Sequence, residues 1–293
     1  MVYWLPGPRR AALFPSTPDI PPTVHEIALR TLPAIPPGRF LALAAGGARG
    51  FWARGDRWIA HAGLAVGPQG PAEVNLTDTA GRFERAAGAL EGIWAGRGRE
   101  DGGRVYGGFA FSSSHAAGSV WNEFPAVRLQ LPLVELAYEK DSKECRLTVR
   151  GGVREAAERA ADRWTEALED GAPRAGGAHG IEAHTTGSDR QRWITSVRRA
   201  LEVIESDRVK KIVLARAMEV HPGPGLDPAL VALSLWEENR SSHAFLFEPV
   251  SGHALVGAAP EVLAHRAGDV LRATAVAGSI GVGSSSEIGR AHV

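Results

Sequence analysis

Lys211 opens the run KIVLAR (211–216), and Glu261 follows Pro260 in GAAPEVLAHR (257–266), which puts a potential base and a potential acid on two predicted strands. They are too far apart in sequence for a local contact, but strands of one sheet joined by a helix can bring them close. An amine becomes a base only when burial lowers its pKa from about 10.4. A carboxylic acid can protonate a leaving group when its own pKa is raised. The apolar IVLA after Lys211 predicts that burial. Taken alone, each residue also fits a plainer role, with Lys211 snorkelling to solvent beside Lys210 and Glu261 facing solvent after a turn proline.

Several predicted elements must position the pair. Trp193, Val197, Leu201 and Ile204 recur at helical spacing from about Ser188, and Asp207 closes that helix before the Lys211 strand. HPGPGLDP (221–228) is a turn, and a helix is expected from Ala229 to about Glu238. AFLFEP, GHALVG, EVLAHR and DVLRATAVAG then read as four strands with turns at Ser251-Gly252, Ala259-Pro260 and Gly268-Asp269, an antiparallel meander attached to the Lys211 strand.

In the first half, residues 39–65 alternate short apolar runs with Gly-containing turns and predict an antiparallel meander. Phe83, Ala87, Leu90 and Trp94 predict a helix capped at Thr79 and ending near Gly96. GGFAF (107–111), VRLQLPLVELAYE (127–139) and RLTVR (146–150) read as strands, and 153–168 as a helix. GAPRAGGAHG (171–180) has the composition of a flexible linker. His179, Glu182 and His184 beside it have a metal-like spacing but no rigid element to orient them.

Thirty-three basic residues balance 33 acidic ones, so no net field argues for nucleic acid or an anionic membrane. The lone Cys145 excludes an internal disulfide framework and suits a reducing cytoplasm, the expected location. No stretch offers about 18 unbroken apolar residues, so no membrane span is expected. A monomer is expected.

KIVLAR behind an amphipathic helix, then FLFEP, GAAPEVL and TAVAGS, resemble in order and spacing the chorismate-utilising enzyme family, in particular its isochorismate synthases. GGFAF, WNEFP and LQLP are similar, more weakly, to that family's N-terminal half. The resemblance implies an α+β fold, an α/β sandwich of largely antiparallel sheets with outer helices. Residues 1–170 would form its N-terminal half, 171–187 a Gly-rich linker and 188–286 the start of the catalytic half.

In that family, enzymes that attack chorismate with ammonia carry an uncharged residue, commonly Gln, where this chain has Lys211, and those that use water carry Lys. Water must lose a proton as it attacks, so a positioned base is needed. The resemblance implies that Lys211 activates water for addition at C2 and that Glu261 protonates the departing C4 hydroxyl. Ala277, Gly278 and Ser279 match a substrate-contacting segment in which backbone N–H groups approach a carboxylate, with Ser in place of the commoner Thr. The implied product is isochorismate, for menaquinone or siderophore synthesis. A salicylate synthase would share both residues, and a non-catalytic binding domain on this fold is an alternative of another class.

The family's Mg²⁺ carboxylates fall beyond the AGS strand, so no metal ligand is expected within these residues. The closing EIGRAHV (287–293) reads as the translation of a sequencing adapter. The expectation is that native sequence stops near Ser286, that the fold is incomplete at its C-terminus, and that the chain as written is inactive.

Overall fold

The computed structural model describes residues 2–3, 26–67, 70–78, 80–94, 103–112, 121–151, 153–170, 187–216, 220 and 226–274. Its centre is an eight-stranded antiparallel sheet. In spatial order the strands are β1 (Val2–Tyr3), β13 (His253–Ala259), β12 (His243–Val250), β3 (Arg49–Arg54), β4 (Arg57–Leu64), β10 (Pro132–Glu139), β11 (Glu144–Gly151) and β2 (Glu26–Pro33). Alternation along each strand divides its side chains between two faces. Phe51, Ala60, Leu136, Leu147 and Leu246 take one face and are fully buried. Three helices cover that face: α1 (Pro37–Leu43), α3 (Arg154–Glu169) and α5 (Pro228–Glu238). Phe40 of α1 stacks on Trp164 of α3 at 4.9 Å, and Trp236 of α5 meets Phe51 edge-on at 5.6 Å, so sheet and helices share one core.

A smaller sheet, ordered β7 (Glu73–Leu76), β9 (Val127–Gln130) and β8 (Tyr106–Phe109), packs with α2 (Arg82–Trp94) around Val74, Ala86, Val127 and Leu129. It meets the other face of the large sheet, where Tyr106 stacks on His61 at 4.0 Å and Phe124 lies against Phe247 at 6.3 Å. Two minor hairpins complete the strands, β5 (Val66–Gly67) with β6 (Gly70–Pro71) and β14 (His265–Ala267) with β15 (Val270–Arg272). The remaining helix, α4, spans Gly187–Glu205. This is the expected mixture of antiparallel sheets and helices.

Several expectations change in detail. Residues 39–43, the start of the expected meander, are helical within α1. Pro36 stands at the N-cap and Pro37 at the first helical position, where a missing N–H costs nothing, and Phe40 and Leu41 are buried against the helical layer. The meander shrinks to the β3–β4 hairpin, with its turn at Gly55-Asp56. In α2 the inward face is Ala86, Leu90 and Ile93, while Phe83 and Ala87 are exposed; only one stripe can touch the β7–β9–β8 sheet. The cap proposed at Thr79 and the helix end near Gly96 lie outside the described residues.

The second half departs further. β12 pairs with β3, across the Gly-rich segment, rather than with a strand at Lys211. EVLAHR is a strand only from His265, because Pro260 has no N–H for a ladder and Val262 and Leu263 find no partner. Among the described residues no helix is long and apolar enough to cross a membrane.

Candidate functional site

The approach to Lys211 is helical, as expected. Trp193, Val197 and Ile204 of α4 are half-buried, Leu201 is exposed, and the helix ends before Asp207, whose φ of 55° turns the chain in the left-handed region. The next stretch is not a strand. Residues 211–216 lack ladder partners among the described residues, and Val213 is 81% exposed. Lys211 itself is exposed, so the burial that IVLA promised is absent here. The physical reason is that a strand acquires its hydrogen bonds from another segment and cannot bury its side chains alone. Among the described residues Arg216 has no carboxylate partner; its guanidinium lies over the Trp193 ring at 5.8 Å, folding the stretch back along α4.

Glu261 lies two residues beyond β13, exposed, in the irregular segment Pro260–Ala264 where Leu263 is 93% exposed. Among the described residues neither Lys211 nor Glu261 has a hydrogen-bonding or ion-pair partner, and both are exposed. Ala277, Gly278 and Ser279 lie outside the described residues, as do His179, Glu182 and His184. Among the described residues there is also no group of three or more His, Cys, Asp or Glu that could hold a metal ion.

Two buried polar groups were not foreseen. On the helical face of the large sheet, Arg49 is 4% exposed and uses its whole guanidinium. Nε donates to Glu248 Oε2 at 2.6 Å, Nη2 to Asp227 Oδ1 at 2.5 Å, and Nη1 to Asp227 Oδ2 at 3.3 Å and the Leu41 carbonyl at 2.7 Å. Burial opposes the arginine charge, but the two carboxylates outweigh it and push the pKa up. Asp227 Oδ1 also accepts from the Ala229 N–H at 2.9 Å, capping α5. The signal was present in AFLFEP. Ala244, Leu246 and Glu248 share one face, and a carboxylate at a core parity demands a buried cation.

On the opposite face, Glu135 accepts from the Tyr106 hydroxyl at 2.8 Å and from Arg104. The buried Arg150 donates to the Pro132 carbonyl at 3.1 Å and adds positive charge nearby. His61, opposite Glu135 in register, is 4% exposed, and its Nε2 is buried without a partner. Desolvation, helped by Arg150, pushes the His61 pKa down to about 3.

That shift has a consequence for stability. The folded state keeps His61 neutral while the unfolded chain takes up a proton below about 6.5, so stability is complete above that pH and falls as pH drops toward about 3. The expected loss is about 1.4 kcal/mol per pH unit within that window. Urea midpoints at pH 7, 6 and 5 measure it, and a His61→Phe variant should give the flatter profile between pH 7 and 5. Parallel profiles would contradict a neutral, buried His61.

Residues 27–292 match a family model described as chorismate binding enzyme. The isochorismate synthase MenF of Bacillus subtilis is 26% identical over 201 residues, covering 62% of this chain and 39% of that protein. The solved structure of MenF, the menaquinone-specific isochorismate synthase from Escherichia coli, superposes with a TM-score of 0.55 and 20% identity, over 88% of this chain and 55% of that one. The chain thus spans well under two thirds of either relative, and the second likeness speaks to fold alone.

Proposed function

The chain belongs to the chorismate-binding enzymes, and from that premise we propose that it carries the base and the acid of a water-adding chorismate isomerase, an isochorismate synthase. The observation that carries this reading is the lysine at position 211, immediately before the apolar run. An ammonia-using enzyme has no need of a base there. The sequence likeness to an isochorismate synthase supports the same choice.

In this reading Lys211, as the free amine, takes a proton from water as its oxygen bonds to C2 of chorismate. The ring double bonds shift, the C4–O bond breaks, and Glu261 delivers the proton that lets hydroxide leave as water. One water enters and one departs, so no oxidant or reductant is needed. The exposure of both side chains leaves them accessible to a small dianion. Lys211 must be desolvated while chorismate is bound, because an ammonium in water stays protonated at neutral pH. Mg²⁺ belongs to this reading as a counter-ion for the substrate's carboxylate. No described residue is assigned to it and no step runs through it.

The test is product analysis of the whole gene product, purified and supplied with chorismate and Mg²⁺. Isochorismate as the product supports the reading, and adding ammonium should yield no aminated product. Salicylate with pyruvate would move it to a salicylate synthase. Chorismate binding without turnover would favour a binding domain.

A further inference from the structure

Glu261 has no ladder of its own to hold it. The segment Pro260–Ala264 is irregular, and among the described residues the β14–β15 hairpin beyond it pairs only with itself. Its position is therefore inherited from β13, which ends at Ala259 opposite His243 of β12. That pairing has a weak point. The β12–β13 register shifts between Phe247 and Val250, and a slip of one residue would turn every β13 side chain to the other face.

Glu248 sits within this irregularity. Its Oε1 accepts from the Gly252 N–H at 2.8 Å, across a tip where Gly252 has a φ of 85°. Its Oε2 is held by Arg49, its register partner on β3. The same guanidinium grips Asp227 at the start of α5, so one residue of the first half fixes two elements of the second. Only an arginine can do this. Lysine carries a single ammonium and cannot span two carboxylates and a carbonyl in one plane.

We propose that Arg49 is a positioning residue for Glu261: through Glu248 it locks the tip of the β12–β13 hairpin, and so sets where β13 delivers Pro260 and Glu261. The inference rests on Glu261 acting as the acid in the reaction proposed above.

The test compares the whole wild-type gene product with its Arg49→Lys variant and with the double variant Arg49→Met/Glu248→Met. The double variant removes the Arg49–Glu248 pair and the acceptor for Gly252, while Asp227 loses its cation but keeps the bond from the Ala229 N–H. Amide exchange across 251–264 and the kinetic constants for chorismate are measured on each. The expected result is a double variant that still unfolds cooperatively, at a lower midpoint because Asp227 has lost its cation, with exchange at Gly252 and at 258–263 about 10-fold faster in both variants relative to exchange in β10. Turnover should fall about 10- to 100-fold with KM little changed.

Wild-type exchange in the variants would overturn the inference, as would faster exchange with kcat untouched. If the double variant does not fold, Arg49→Lys carries the same comparison. A whole gene product that never consumes chorismate would refute the proposed reaction instead, and the exchange comparison would still decide whether Arg49 sets the register.

Discussion

Replacing Lys211 by alanine should lower isochorismate formation by about 10²–10⁴-fold, the usual contribution of a positioned general base. KM should change little, because the lysine acts on the water and not on a group that chorismate presents in the ground state. Lys211→Gln should be as slow as alanine, since an amide cannot accept the proton, and added ammonium tests whether that variant has acquired the family's other nucleophile. In the wild type kcat/KM should rise with pH as the general base loses its proton, an acidic limb that both variants lack. A Lys211→Ala enzyme that turns over at the wild-type rate would remove the water-activating role, and with it the observation that carries the isochorismate synthase reading.

Gly107→Ala should destabilise the protein by about 3–5 kcal/mol, a loss reserved for a few named mechanisms. Gly107 has a φ of 149°, which L-residues rarely adopt, and a Cβ there would stand 1.9 Å from the Arg128 carbonyl oxygen and 2.9 Å from the Leu129 Cα. Both atoms belong to the backbone of β9, the strand that β8 pairs with, so neither can yield without breaking the ladder. Backbone strain of about 1–3 kcal/mol adds to overpacking of similar size. The neighbour provides the control. A Cβ at Gly108 would meet nothing within 4 Å, so Gly108→Ala should shift stability by about 1 kcal/mol at most. Chemical denaturation of both variants measures the difference, and equal effects would sink the argument. Loss of the β8 ladder would also release Tyr106 from Glu135 and His61, so the Gly107 variant should expose the second face of the large sheet.

Much of the fold was legible because its signals are local. The strand β11 and the helices α3 and α5 fall within a residue or two of where periodicity and punctuation put them, since each pattern lies within the element that it describes. The hairpin β12–β13 was legible for the same reason: two apolar runs flank Ser251-Gly252. Helix α1 was missed because seven residues hold too few turns to display a period, and the two prolines that start it read equally well as a turn. The strand expected at Lys211 was a different error. IVLA has strand composition, but composition does not supply a partner, and the exposed Val213 shows what an apolar run becomes without one.

The candidate site divides along the same line. The residue types, Lys211 before an apolar run and Glu261 after a proline, are properties of the chain itself, and the family that the chain belongs to was recognisable from the order of short motifs. Their environment is not such a property. The pairing of β12 with β3, the Arg49 clamp on Glu248 and Asp227, and the neutral His61 beneath Tyr106 all join residues far apart in sequence. By itself the sequence determined which residues could do chemistry and which segments would be helix or strand, because side-chain identity and periodicity are carried by contiguous residues. Only the tertiary structure decided which of those residues are buried, paired or left in water, because burial and register depend on what a distant segment brings to the same place.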